Sequence, residues 1–306
     1  MPQHFLDLAD WSSQDLQGLL HLATRLKHEW HNGGNRPLLA GLNLGMLFQK
    51  SSLRTRVSFE VGMNHLGGHA IMLGEEEVGL GRRESVADVA RVLSGMVQGI
   101  MARVYDHEDV VQLARWAQVP VINGLSDDRH PCQALSDMLT ITEHFGKTEG
   151  LRLCYLGDGN NVAASLALAC AHFGMHLTLS SPEGYGLDEE LLDAATRLNG
   201  DIDLRLDGAP ANAVQDADVL YTDTWVSMGQ EAEAADRRAV FRPWQLNAEL
   251  VARAPAHAVI MHDLPAYRGK EITDDVADSE RSLIFPQAAN RLHAQKAILV
   301  RLLGTR

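Results

Sequence analysis

Short apolar runs alternate with longer segments of helical periodicity along nearly the whole chain. The first periodic segment, residues 12–30, puts Leu16, Leu19, Leu20, Ala23 and Leu26 on one face, with Ser12 or Ser13 placed to cap its start. The apolar run 44–48 predicts a strand, and residues 54–66 a helix stopped by Gly67-Gly68. A short strand over 69–73, a Gly- and Glu-rich loop over 74–83 and a helix opened by Ser85 follow. Strands over 99–105 and 119–123 bracket a helix over 108–117, and Pro131 suits the first position of a helix reaching Phe145. The alternation resumes at Leu151, with strands over 151–156, 176–180 and 219–222 and helices over 162–173, 188–198 and 288–303. This pattern predicts an α/β fold of two domains, each a mainly parallel sheet flanked by helices, divided in the helix 131–145 or the turn 146–150.

Composition narrows the function. A chain of 306 residues that is 45% hydrophobic can bury one large or two medium cores. A formal charge of -13 argues against general binding to nucleic acid or to an acidic membrane. Cys132, Cys154 and Cys170 have no metal-binding spacing, and an odd count suits a reducing compartment. No apolar run approaches the roughly 18 residues needed to span a bilayer. Met1 to Trp11 lacks a basic segment followed by an apolar one, so the expected location is the cytoplasm.

Against this acidic background, Phe48-Gln49-Lys50-Ser51-Ser52-Leu53-Arg54-Thr55-Arg56 packs three cations and three hydroxyls around a strand-to-helix turn. The unpaired N–H groups of a helix start already favour an anion, and arginine forks and hydroxyls fit phosphate oxygens. A phosphate site and a solvated, serine-capped basic turn both satisfy this segment alone. Gly157-Asp158-Gly159 is a weak nucleotide signal: position 162 is valine rather than the third glycine, and the following strand ends in Ser180-Ser181-Pro182 without an acid. Two further polar groups lie at strand ends. His130 and Gln133 stand at the mouth of the helix opened by Pro131, where a lone histidine is as readily structural as functional. Asp223 and Ser227 could hold an amino acid's ammonium, or form a turn around a buried Trp225.

The order of these pieces is more telling than any one of them. Phe48-x-Lys50-x-Ser52-x-Arg54-Thr55-Arg56, Arg103, His130-Pro131-x-Gln133, Asn161, Asp223-x-x-x-Ser227-Met228-Gly229, Leu264-Pro265 and Asn290-Arg291-Leu292 together resemble the carbamoyltransferases, specifically the ornithine-type members of the aspartate/ornithine carbamoyltransferase family. The resemblance implies a carbamoyl-phosphate-binding domain of residues 1–145 with the C-terminal helix 287–306, and an ornithine-binding domain of residues 146–286. It implies transfer of the carbamoyl group to the δ-amine of L-ornithine, giving L-citrulline and phosphate in arginine metabolism. Ser52, Leu53, Arg54 and Thr55 would hold the phosphate, and Arg291 would return to the same anion. Arg103, His130, Gln133 and Leu264 would contact the carbamoyl group. Asn161, Asp223, Ser227 and Met228 would hold ornithine, with Arg103, His130 and Asp263 in catalytic roles. No metal, nucleotide or covalent intermediate is required. Substrates would bind in order between closing domains, and family members form trimers or assemblies of trimers.

Three positions depart from the family pattern: leucine at 53 for threonine, Gly79 near an expected glutamine, and His262-Asp263-Leu264-Pro265 for His-Cys-Leu-Pro. A carboxylate at 263 could attract the substrate ammonium or accept its proton; equally, it could only cap a turn. These departures leave open a carbamoyltransferase for another amine, such as putrescine or an acylated ornithine. A catalytically silent anion-binding paralogue is a further alternative, which the retained Arg54, Arg103, His130, Gln133 and Arg291 disfavour.

Overall fold

Two parallel sheets organise the chain, and in each the polar residues of interest sit past the carboxyl ends of the strands. The computed structural model describes residues 3–226 and 231–304. It divides into one unit of residues 1–139 with 289–306 and a second of residues 140–288.

In the first unit, helix α1 (Ser13–His31) is capped by Ser12, whose hydroxyl accepts the Asp15 N–H at 3.1 Å, and it buries the leucines its periodicity marked. Strand β1 (Asn43–Phe48) leads into α2 (Leu53–His65), and β2 (His69–Gly74) follows. The segment expected as an open loop contains a one-turn helix, α3 (Glu75–Val78). Glu77 turns back to accept the Gly74 N–H at 2.7 Å, and Gly79 closes the turn at φ +61°, a conformation glycine adopts freely. Helix α4 (Val86–Ser94), β3 (Gly99–Arg103), α5 (His107–Trp116), β4 (Val121–Leu125) and α6 (Pro131–Phe145) complete the alternation. Strand β4 starts two residues later than expected: Pro120 has no N–H for a ladder and contributes only its carbonyl, to Ile100. The sheet order is β2-β1-β3-β4, so the strand order reverses between the parallel neighbours β1 and β3, where open parallel sheets bind ligands.

The second unit continues with β5 (Arg152–Leu156), α7 (Asn161–His172), β6 (His176–Ser180) and α8 (Glu189–Leu198). Then come β7 (Leu204–Leu206), α9 (Pro210–Ala213), β8 (Val219–Thr222), α10 (Ala234–Phe241), α11 (Ala248–Val251), β9 (Val259–Met261) and α12 (Asp274–Ala277). Strands β7 and β9 were not expected because three residues show no periodicity; pairing with β6 and β8 creates them. The order β7-β6-β5-β8-β9 puts the switch point between β5 and β8. Leu156, Leu220, Ile260 and Trp244 share one buried cluster on this sheet. The last helix, α13 (Ile284–Leu303), begins earlier than expected, because Pro286 falls in its first turn, where a missing N–H costs nothing. Among the described residues, no helix is long and apolar enough to cross a membrane.

Candidate active site

In the first unit, β1 and β3 pair with Phe48 opposite Arg103, which sets the α2 turn beside the arginine. The Gln49 N–H donates to the Arg103 carbonyl at 2.9 Å, and the Gln49 side chain accepts the Tyr105 N–H at 2.8 Å. The register of β3 against β4 slips between Ala102 and Arg103, a bulge of the kind that re-aims a side chain. Gly124 lies in the slip, and a Cβ there would stand 2.5 Å from the Met101 sulfur.

Ser52 caps α2, its hydroxyl accepting the Thr55 N–H at 3.3 Å and donating to Thr55 Oγ1 at 3.1 Å. Leu53 occupies the first helical position and is 74% exposed, and its side chain offers no hydrogen-bonding group. The two outer cations of the motif part ways. Lys50 lies 4.6 Å over the Tyr105 ring, and burial with the charge of Arg103 depresses its pKa. Arg56 turns to Glu60 at 2.9 Å, one helical turn away, so the expected cluster of Lys50, Arg54 and Arg56 is not assembled as such. Arg54 remains with the site, and two arginines from elsewhere join it.

Arg291, in α13, is buried and donates to Gln133 Oε1 at 2.6 Å and to Thr55 Oγ1 at 3.2 Å. The other end of Gln133 donates to Asp137 at 2.8 Å. Arg103 and His130 are buried alongside. Burial first, then the charges of Arg291, Arg103 and Arg54, drive His130 well below the usual imidazole pKa, so its ring is neutral. Hydrogen bonds join Ser52, Thr55, Arg291 and Gln133 at this helix start, and the charges of Arg54, Arg103 and Arg291 act together on His130.

In the second unit, β8 and β9 pair with Tyr221 opposite Met261, so Asp223 and Asp263, each two residues further on, emerge side by side. Asp223 is buried and doubly anchored: the Thr224 N–H donates to Oδ1 and Asn160 Nδ2 to Oδ2, each at 2.6 Å. Asn160 also caps α7, accepting the Val162 and Ala163 N–H groups, while Asn161 begins the helix half-buried. Burial, then the neighbouring charge of Asp263, pushes Asp223 well above the usual carboxylate range. Trp225 is buried, and its carbonyl accepts Arg237 Nε at 2.7 Å. Ser227 and Met228 lie outside the described residues.

His262 and Glu271 were not singled out in the sequence as functional. Both are buried, with His262 Nε2 3.3 Å from Glu271 Oε1. Burial opposes charge on His262, yet Asp263 and Glu271 draw its pKa up to about 9. The Leu264 N–H, however, donates to Nδ1 at 2.9 Å and needs the lone pair there, while Asp263 Oδ1 is further off at 3.4 Å. In the neutral form of the ring, the contact with Leu264 leaves the proton on Nε2, facing Glu271. Leu264 itself is half-buried at φ +61°, a strained conformation for leucine that the His262 contact helps to hold. A histidine beside an acid, nine residues before a glutamate in an irregular segment, leaves no periodic signal.

Comparison with known proteins accounts for both units. Residues 3–143 match the family model described as aspartate/ornithine carbamoyltransferase, carbamoyl-P binding domain, and residues 149–302 match the Asp/Orn binding domain of the same description. The chain is 52% identical to the ornithine carbamoyltransferase of Anoxybacillus flavithermus, over 98% of this chain and 96% of that one. It is 51% identical to the anabolic ornithine carbamoyltransferase of Pyrococcus furiosus, again over 98% of this chain and 96% of that one. The solved ornithine carbamoyltransferase of Pyrococcus furiosus superposes with a TM-score of 0.96 at 50% identity, over 99% of this chain and 97% of that one. That of Thermus thermophilus gives 0.90 at 42%, over 99% of each.

Proposed function

Because the chain belongs to the aspartate/ornithine carbamoyltransferase family, we propose that it transfers the carbamoyl group of carbamoyl phosphate to the δ-amine of L-ornithine, forming L-citrulline and phosphate in arginine metabolism. The observation that carries this reading is the neutral His130 flanked by the charges of Arg54, Arg103 and Arg291 beside the start of α2. The phosphate dianion lies against Ser52, the N–H groups of the first helical turn, Arg54 and Arg291. Arg103, Thr55 and neutral His130 donate to the carbonyl oxygen, where negative charge grows as the tetrahedral centre forms. The Gln133 carbonyl, holding Arg291 with one lone pair, offers the other to the carbamoyl NH₂.

Ornithine's α-ammonium pairs with Asp223, with Asn161, Ser227 and Met228 completing its contacts. Its δ-ammonium, with a pKa near lysine's roughly 10.4, must lose a proton before attack, and Asp263 is the acceptor in reach. The neutral amine attacks the carbamoyl carbon, the C–O bond to phosphate breaks, and a second nitrogen proton leaves with the phosphate. Positioning and donors already in place supply the acceleration. A trimer in the cytoplasm is part of this reading.

Citrulline formation from ornithine and carbamoyl phosphate, assayed beside putrescine and N-acetylornithine, tests it. Turnover with ornithine at least a hundredfold above either other amine is expected; preference for another amine would reassign the substrate, and none with any would leave an anion-binding protein.

A further inference from the structure

Gly157-Asp158-Gly159, a poor match to a nucleotide loop, forms a firm bracket beside the segment that follows β8. The Gly157 N–H donates to the Ser180 carbonyl at 3.0 Å, and the Gly159 N–H to the Tyr185 carbonyl at 2.7 Å. A Cβ on Gly159 would stand 2.4 Å from the Gly186 carbonyl carbon, so the turn lies against a neighbouring backbone with no room for a side chain. From the end of β5 and this turn, three connections reach the chain around Asp223. Thr222 Oγ1 donates to the Leu156 carbonyl at 2.8 Å. Asp158 pairs with Arg237, whose Nε donates to the Trp225 carbonyl at 2.7 Å. Asn160 Nδ2 donates to Asp223 Oδ2 at 2.6 Å.

The last connection carries the most chemistry. The Asn160 oxygen accepts the Val162 and Ala163 N–H groups at 3.0 and 3.1 Å, capping α7, and the Tyr155 hydroxyl at 3.2 Å. Three donors on the oxygen fix which end of the amide is which, so the nitrogen is the end that faces Asp223. A cap needs only the oxygen, and serine or aspartate would supply one equally well. The N–H to Asp223 is a second feature that capping does not explain. The torsion that turns a carboxylate is soft, and here the Thr224 N–H holds Oδ1 while Asn160 holds Oδ2. Asp223 is thereby tied to the start of α7, whose first residue is Asn161.

We propose that Asn160 is a positioning residue for ornithine, acting through Asp223 to set the affinity for the α-amino end of the substrate. The inference rests on the ornithine reading given above and extends it to a residue outside the substrate contacts assigned there. Asn160 fixes the spacing between Asn161 and Asp223, and it turns the Asp223 carboxylate before the substrate arrives. An α-ammonium then meets lone pairs already in place, without the cost of ordering them.

Two substitutions keep the cap and remove the donor. Asn160→Ser retains an oxygen for α7 but has no N–H for Asp223, and Asn160→Asp retains the shape while setting oxygen against oxygen. In both, KM for L-ornithine is expected to rise by at least about tenfold, the usual worth of a hydrogen bond to a charged group. L-Norvaline keeps the α-amino acid head and lacks the δ-amine; in calorimetric titration it should lose affinity by the same factor. Affinity for a non-reacting phosphonate analogue of carbamoyl phosphate should stay where it is, and thermal melting close to that of the unsubstituted protein establishes that the cap survives. Asn160→Ser alone suffices should like charges unfold Asn160→Asp. An unchanged KM for L-ornithine in Asn160→Ser, or equal losses for ornithine and the phosphonate, overturns the positioning role. A loss with L-ornithine that L-norvaline does not share moves the effect to the δ-amine and also overturns it. If the unsubstituted protein binds neither amino acid, the ornithine reading fails and this inference with it; binding there without loss in the variants counts against Asn160 alone.

Discussion

Arg291 and Gln133 are 158 residues apart in sequence and 2.6 Å apart in space, joined by a hydrogen bond between a buried guanidinium and a buried amide oxygen. With Thr55 on its other nitrogen, Arg291 is held in a fixed orientation before any anion arrives. Arg291→Met should raise KM for carbamoyl phosphate and lower kcat/KM on the order of a hundredfold, the usual cost of truncating one partner of a buried charged contact. Arg291→Lys keeps the charge without the fork and should fall between. Steady-state kinetics with varied carbamoyl phosphate decide it; an unchanged KM in either variant would remove Arg291 from the site.

Ser52 closes the first turn of α2 and, on the proposed reading, also faces the anion. Ser52→Ala should cost about 1 kcal/mol of stability through the lost cap and also weaken carbamoyl phosphate binding. Ser52→Asp would restore the cap but set a negative charge against the phosphate. The two variants should therefore separate, with Ser52→Asp melting higher and binding worse. Equal affinity in both would mean that the hydroxyl serves the helix only.

Leu53 leaves an unused position at the helix start. Leu53→Thr should tighten carbamoyl phosphate binding by up to about tenfold, the worth of one added hydrogen bond, with little change in melting temperature because the leucine is solvent-exposed. Isothermal titration with a non-reacting phosphonate analogue measures this directly. No gain would show that the backbone N–H already satisfies that oxygen.

Acid should destabilise the protein earlier than its net charge suggests. His130 is depressed by burial and three arginines, and His293 is lowered to about 3 by burial and then by Lys296, Lys27 and neighbouring histidines. In the unfolded chain each takes up a proton near pH 6.5, whereas the folded state refuses it. Below about pH 6.5 the unfolded state thus binds more protons, and stability is lost progressively as pH falls towards the folded values. Melting temperature should drop between about pH 7 and pH 5, and His293→Gln should flatten that slope. A slope unchanged by the substitution would place the acid sensitivity elsewhere.

The legibility of this fold in its sequence varies with the kind of force that sets each piece. Helices α1 and α6 and strands β6 and β8 could be placed closely because periodicity, caps and Pro131 are local signals. Strands β7 and β9 could not, since three residues become a strand only by pairing. The site shows the same division. Ser52, Arg54 and Thr55 could be read from one turn, but the diversion of Arg56 to Glu60 depends on side-chain geometry one helical turn away. The meeting of Asp223 with Asp263 depends on strand register between segments 40 residues apart, and the support from Glu271 through His262 crosses an irregular stretch without pattern.

The position of Arg291, far along the chain from the α2 turn, also orders events during synthesis. A ribosome emits the α2 turn, Arg103 and His130 long before α13, so on the proposed reading the emerging polypeptide holds an unfinished anion site until α13 follows. A molecule truncated before residue 291 would retain the whole parallel sheet of its first unit yet lack the guanidinium that grips Gln133 and Thr55. On that reading, competence to capture the anion arrives with α13.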